Sequence, residues 1–177
     1  MNDQSRGLLK ITSVALFLIA SFHGGKTTFG QQSCPDGKFL ARYYENESFK
    51  GQPFSVKCEE TINNYWRDGG PGKVEGGGDG KSDSVTRIVT VADHFSVVWN
   101  GIFAFEEGDY IFSARADDGI RIWVDNILII NEWRVQGSSD FQQEIHLTPG
   151  RHRIIVRYFE HEGDATAHVS WLKKPDQ

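Results

Sequence analysis

What this 177-residue chain lacks narrows its function before any motif is considered. It has two cysteines, Cys34 and Cys58, and no spacing that resembles a zinc site. No G-x-S-x-G nucleophile elbow occurs. His146, His152, His161 and His168 are scattered without an H-x-x-x-H spacing, so surface or satisfied histidines explain them better than metal ligands. The run Gly76-Gly-Gly-Asp-Gly80 follows no strand and precedes no Lys-Ser/Thr pair, which excludes a phosphate loop. Calcium β-roll repeats need several stacked copies, and here there is at most a partial one. No convincing amphipathic helix is present. The longest apolar run, residues 11–22, is too short to span a bilayer comfortably. Positive charge is also scarce: 19 Lys+Arg stand against 24 Asp+Glu. That balance argues against nucleic acid and anionic lipid and suits neutral carbohydrate, cations or protein partners.

What is present begins with an export signal. Arg6 and Lys10 precede the apolar run, and Thr28 and Gly30 place cleavage between Gly30 and Gln31. A retained signal anchor is the minority reading. A lipoprotein reading of Cys34 is weaker still, because Gln31-Gln32-Ser33 lacks the aliphatic residue such processing needs. Residues 1–30 hold three basic residues and one acidic one, so the secreted 147 residues carry 16 Lys+Arg and 23 Asp+Glu, a formal charge of −7. That length suits one domain with a real core. We divide the chain into a signal (1–30), a short segment (31–36), one domain (37–173) and a tail (174–177). In an exported chain a cysteine pair favours a disulfide, and Cys34–Cys58 would tie the start of the secreted chain to its second strand.

Short strands are expected at residues 38–44, 54–57, 95–99, 102–105, 110–114, 141–147, 153–159 and 165–172. Residues 68–84 hold seven glycines and Pro71 in 17 positions and read as a flexible connector. The centre of the sequence is residues 114–133. There Asp125-Asn126 separates two apolar runs, a strong hairpin signal that sets Val124 opposite Ile127 and Trp123 opposite Leu128. Strands at roughly ten-residue spacing indicate an all-β fold, an antiparallel β-sandwich or barrel. Trp99, Trp123 and Trp171 lie within strand patterns and are assigned to packing, while Trp66 is ambiguous.

These segments resemble, in order, the PA-14 domain, the protective-antigen-type β-sandwich of secreted toxins, adhesins and glycosidases. The likeness runs through Leu40-Ala-Arg-Tyr-Tyr44, Phe49-Lys-Gly51, Phe95-Ser-Val-Val-Trp-Asn-Gly101 and Gly108-Asp-Tyr-Ile-Phe-Ser113. It is densest at Ala116-Asp-Asp-Gly-Ile-Arg-Ile-Trp-Val-Asp125, and continues at Trp133, Leu147-Thr-Pro-Gly150, residues 154–160 and Val169-Ser-Trp171. The resemblance implies a jelly-roll-type sandwich with few or no helices, and a role in carbohydrate binding. In the fungal adhesins of that family two adjacent aspartates, joined by a cis peptide, hold a calcium ion that grips sugar hydroxyls. Asp117 and Asp118 match that pair. The asparagine of the second calcium loop has no equivalent, and the matching loop, Glu160-His-Glu-Gly-Asp164, offers carboxylates instead.

Two neighbouring carboxylates repel unless something cationic lies between them. Calcium wants six to eight oxygens, and Glu160, Glu162 or Asp164 could complete a sphere begun by Asp117 and Asp118 if the loops meet. Gly119 would ease the sharp turn that makes the pair converge. The plainer alternative is an acidic turn, with one aspartate capping backbone N–H groups and the other solvated. Trp133 could stack on the apolar face of a sugar, or pack against the edge of the core. Adjacent carboxylates do not offer the separated acid and base of a glycosidase. The expectation is a secreted, non-catalytic, lectin-like module for glycans or cell-surface polysaccharide, with Asp117, Asp118, Trp133 and Glu160 at the sugar. The alternative is a structural or protein-interaction module. Oligomeric state is left open.

Overall fold

The computed structural model describes residues 32–75 and 87–175; the export signal and the Gly76–Gly80 run expected from the sequence lie outside the described residues. Among the described residues there are twelve strands and no helix. They are β1 (Phe39–Tyr44), β2 (Ser55–Glu59), β3 (Ile62–Arg67), β4 (Gly72–Glu75), β5 (Arg87–Thr90) and β6 (Phe95–Phe105). There follow β7 (Gly108–Asp117), β8 (Gly119–Val124), β9 (Ile127–Glu132), β10 (Ser139–Leu147), β11 (Gly150–Glu160) and β12 (Ala165–Lys173). A six-stranded sheet runs β2-β1-β6-β11-β8-β9 and a four-stranded sheet β10-β7-β12-β3, every pairing antiparallel. The two sheets form an open sandwich and do not close into a barrel, and β4 pairs with β5 as a separate ribbon.

Strand alternation supplies the core. Along β6, Phe95, Val97, Trp99, Phe103 and Phe105 all point inward, each removed from water. Along β11 the even positions from His152 to Glu160 do the same. Each large apolar side chain so buried is worth about 1.5–3 kcal/mol. The two polar rings at the centre are satisfied by one carboxylate: Tyr43 Oη and Trp99 Nε1 donate to the two oxygens of Glu59, at 2.5 and 2.6 Å. Cys34 and Cys58 are disulfide-bonded, which fastens the segment before β1 to β2.

Several elements depart from the sequence expectation. Gly101 does not divide two strands but sits within the unbroken β6, where a Cβ would fall 2.6 Å from the Phe103 ring and 2.8 Å from the Lys38 carbonyl. The bare Cα lets Phe39 and Phe103 pack with ring centroids 4.6 Å apart. Part of the expected connector, Gly72–Glu75, is strand β4. β3 escaped notice because Asn63 and Asn64 interrupt its apolar pattern; only Ile62, Asn64 and Trp66 turn inward. Trp66 lies against Phe95 and Tyr158. Trp99 is fully buried and Trp171 packs on the core edge, but Trp123 stands on the outer face of the six-stranded sheet with Arg157 over its ring.

The central hairpin has the expected register, Val124 opposite Ile127 and Trp123 opposite Leu128. Asp125 and Asn126 both have positive φ, 47° and 71°, as a primed two-residue turn requires. The turn is clamped to β11. Asp125 Oδ1 accepts from Arg153 N at 2.8 Å, and Oδ2 lies 2.5 Å from His152 Nδ1. The other ring nitrogen of His152 is 2.8 Å from the Thr148 carbonyl. Both nitrogens face acceptors, an arrangement that only the charged ring satisfies at both ends. Burial alone would lower the His152 pKa, but the Thr148 carbonyl and Asp125 hold it above its ordinary 6.5. Its stabilising contribution is therefore complete below pH 6.5 and is lost as pH rises through the higher folded-state value. Chemical denaturation of His152→Ala should show a loss of about 1.5–3 kcal/mol near pH 6, shrinking by pH 9. A deficit independent of pH would show that the clamp is uncharged.

Candidate functional site

At one end of the sandwich β7 passes into β8 through Asp117-Asp118, and β11 ends at Glu160. The peptide joining the two aspartates is cis. Ligand atoms of Asp117, Asp118 and Glu160 all lie within 4.8 Å of one another. Asp118 is 2% exposed and Glu160 fully enclosed. Asp118 holds the surroundings together: its Oδ1 accepts from Gln136 N at 2.8 Å and its Oδ2 from His161 N at 2.7 Å, while its carbonyl accepts from Gln136 Nε2. The loop after β9 and the loop after β11 are thus pinned by one carboxylate. Like an N-cap, this converts buried backbone N–H groups from a cost into charge-assisted bonds.

Glu160 is less well provided for. Its Oε1 is buried with no hydrogen-bond partner among the described residues. Its Oε2 lies 2.8 Å from Tyr158 Oη, which also donates to the Asp117 carbonyl. A phenol has one hydrogen, so the second contact is satisfied only when Glu160 carries a proton of its own. The charge environment agrees. Burial, and then the negative charges of Asp118, Asp117 and Asp93, push the Glu160 pKa up to about 8 against a lowering by Tyr158. Burial first, and then Asp118, also raise Asp117, and Asp164 adds to this. Among the described residues no Lys, Arg or His side chain forms an ion pair with any of the three carboxylates. Three hard oxygen donors, one of them orphaned, fit a hard divalent cation in donor type and charge.

The remaining candidates divide between two places. Asp164 is exposed and lines a cleft of ≈ 780 Å³ on the outer face of the four-stranded sheet, together with Asp117, Tyr65, Arg115, Asp140 and His168. Tyr65 is 64% exposed there, and Arg115 makes a bidentate pair with Asp140 at 2.7 Å. Glu162 points elsewhere, 3.6 Å from His94 Nε2. Trp133 is half-buried on the six-stranded side. Its ring packs against Phe159 at 4.7 Å and Phe49 at 5.9 Å, with the Arg121 guanidinium 4.8 Å above it. It does not line the cleft that Asp117 enters. Gly119 has a role the sequence did not reveal. It sits directly across from Phe159 in the ladder, and a Cβ there would fall 2.0 Å from that ring. Its φ is not positive, so it provides space rather than a turn. Tyr65 and the Asn63-Asn64 pair were missed because nothing in an isolated polar strand marks it as the wall of a cleft.

The profile of the PA14 domain matches residues 36–175. The Anti-sigma-I factor RsgI3 of Acetivibrio thermocellus is 29% identical over 137 residues, which are 76% of this chain and 19% of that protein, so the chain spans about a fifth of that relative's length. A solved anti-sigma factor domain-containing protein superposes with a TM-score of 0.61 at 27% identity, over 78% of this chain and 44% of that one. The PA14 sugar-binding domain from an RTX adhesin shares the fold, with a TM-score of 0.55 at 18% identity over 81% and 93% of the two chains.

The packing at Gly119 gives a direct test. Gly119→Ala should destabilise the protein by about 1–3 kcal/mol, the usual range for overpacking, and should shift tryptophan emission as Phe159 is forced off Trp133. A variant as stable as the parent, with unchanged emission, would show that Phe159 does not press on the Gly119 backbone.

Proposed function

The chain belongs to the PA14 domain family, and on that premise we propose that it is an exported, non-catalytic carbohydrate-binding module whose glycan site is built on a calcium ion held by Asp117, Asp118 and Glu160. The observation that carries this reading is the enclosed carboxylate cluster with the orphaned Glu160 oxygen beside it. The ion, when bound, would neutralise the cluster and offer open coordination positions to sugar hydroxyls. Asp118 would serve as ligand and as anchor of both neighbouring loops. Asp117 is the member that also reaches the cleft, and Asp164 stands beside it there.

The cleft suits a sugar. It is open to solvent and acidic at the Asp117 end, it mixes apolar surface with polar side chains, and its exposed Tyr65 can take the C–H face of a ring. In this reading Trp133 supports the site from behind, through Phe159. Catalysis is disfavoured because Asp118 and Glu160 are enclosed and cannot flank a glycosidic bond in the cleft as an acid and a base must. Export is supported by the signal-like first thirty residues and by the Cys34–Cys58 disulfide, a bond that persists in oxidising compartments. A protein-interaction role is favoured by one observation, the exposure of Ile127 and Leu128 at the hairpin tip.

Two measurements test the proposal. Calcium at about a hundred times its Kd should stabilise the protein by about 2.7 kcal/mol, a gain reversed by EDTA and absent in Asp118→Asn. A glycan array should show binding that disappears with EDTA. No thermal shift and no calcium-dependent glycan would overturn the reading; binding of a protein partner through Ile127 and Leu128 would then stand in its place. Glu160→Gln provides an opposite sign. In EDTA the parent's stability should fall as pH rises from the ordinary carboxyl range toward 8, because folding raises the Glu160 pKa. The glutamine variant should lack that slope, gain about 1–3 kcal/mol at pH 8 in EDTA, and lose the response to calcium.

A further inference from the structure

A second cluster lies next to the first and shares none of its side chains. Glu47, His94 and His161 bring one carboxylate oxygen and two imidazole nitrogens within 4.8 Å of one another. They come from three separate segments: the turn between β1 and β2, the segment before β6, and the residue after β11. His94 Nδ1 and His161 Nδ1 lie 2.7 and 2.8 Å from the same oxygen, Glu47 Oε1. The rings are nearly perpendicular, with centroids 4.9 Å apart.

The backbone around these side chains is organised in advance. Asn46 Oδ1 accepts from Ser48 N and Lys50 N, shaping the turn that presents Glu47. The carbonyl of Asn46 accepts from Ser96 Oγ at 2.5 Å, which fixes that turn to the start of β6. His94 is held in the left-handed region, φ 53°, and its N–H donates to the His161 carbonyl at 3.0 Å. Residues held in that region are over-determined by their surroundings and collect at ligand clamps. The far nitrogen of His94 faces Glu162 Oε1 at 3.6 Å. A carboxylate behind a histidine is the arrangement that orients a metal-ligating imidazole and sets its tautomer.

We propose that Glu47, His94 and His161 form a site for a borderline divalent transition metal of the zinc type, with Glu162 positioning His94. Two imidazoles and one carboxylate are the ligand set of open zinc sites, and nitrogen donors select such metals over calcium. With bonds of about 2.0–2.1 Å, tetrahedral ligand atoms stand about 3.3 Å apart. The present 2.7–2.8 Å contacts therefore need an outward shift of only about half an ångström by three partly exposed side chains. The metal would take the Nδ1 position of each ring, so each coordinated imidazole keeps its one hydrogen at Nε2, and that of His94 then points toward Glu162. Because His161 N–H bonds Asp118 Oδ2, the metal would hold the loop that Asp118 anchors. The proposal stands apart from the calcium site, since no calcium ligand takes part in it.

The test is titration of the purified, EDTA-stripped full chain with Co2+, followed by absorbance, and with Zn2+, followed by calorimetry, both in excess calcium. One equivalent should bind, with the visible bands of a nitrogen–oxygen site. His94→Ala and His161→Ala should each weaken binding by more than about 100-fold, beyond the roughly 10–100-fold usual for outer-sphere partners. Glu162→Gln should weaken it less, and His146→Ala, a surface histidine paired with Asp109, should not change it. The thermal response of each histidine variant to calcium, and its far-UV dichroism, separate a lost ligand from a lost fold. No saturable equivalent in the parent, or parental affinity in both His94→Ala and His161→Ala, would overturn the proposal, whatever the calcium experiment shows.

Discussion

Asp118 is the carboxylate on which this end of the molecule depends. Its two oxygens take the N–H groups of Gln136 and His161, so the loops that follow β9 and β11 are held to one side chain. The same carboxylate lies within reach of Asp117 and Glu160. The fold thus gathers carboxylates where its loops are fixed, and the cost appears at Glu160. Its carboxyl is raised first by burial and then by its acidic neighbours, and its Oε1 has no donor among the described residues. A cation resolves the conflict between anchoring and repulsion. That conflict is the ground on which a bound cation is proposed.

The two outer faces of the sandwich are dressed differently, and β-strand alternation decides which residues go where. On the six-stranded side Arg121, Arg157, Trp123, Trp133 and Phe49 form a layer of guanidinium and ring contacts. Phe159 enters this layer over the bare backbone of Gly119. On the four-stranded side short residues such as Ser113, Ser138 and Thr166 lie among longer ones, and a cleft runs from Tyr65 to Asp117. Asp117 and Asp118 belong to both systems, one reaching the cleft and the other the loops. A ligand in the cleft would therefore be coupled through one peptide unit to the conformation of the loops behind it.

The sandwich and the hairpin were legible in the sequence because each depends on period-two alternation and local turn chemistry. Asp125-Asn126 needs two residues that tolerate positive φ, and no other part of the chain has to be known to see it. β3 and β4 were hidden for the converse reason: Asn63-Asn64 and the glycines near Gly72 carry no alternation, and only pairing with β12 and β5 makes them strands. Trp123 misled because an apolar residue in a strand has two faces to choose from, and the bulge after Ile122 and the stack on Arg157 belong to the partner strands.

By itself the sequence determined the all-β class, the hairpin register and the cysteine pair. These follow from neighbours along the chain. Only the tertiary structure decided which carboxylates converge: Glu160 joins the pair, Glu162 turns to His94, and Asp164 turns to the cleft. It also brought Glu47, His94 and His161 together from three segments with no shared motif. The physical reason is that ligand sets are defined by distances of a few ångströms across sheet ends. Those distances are set by pairing and packing far from the residues themselves, not by their spacing in the chain.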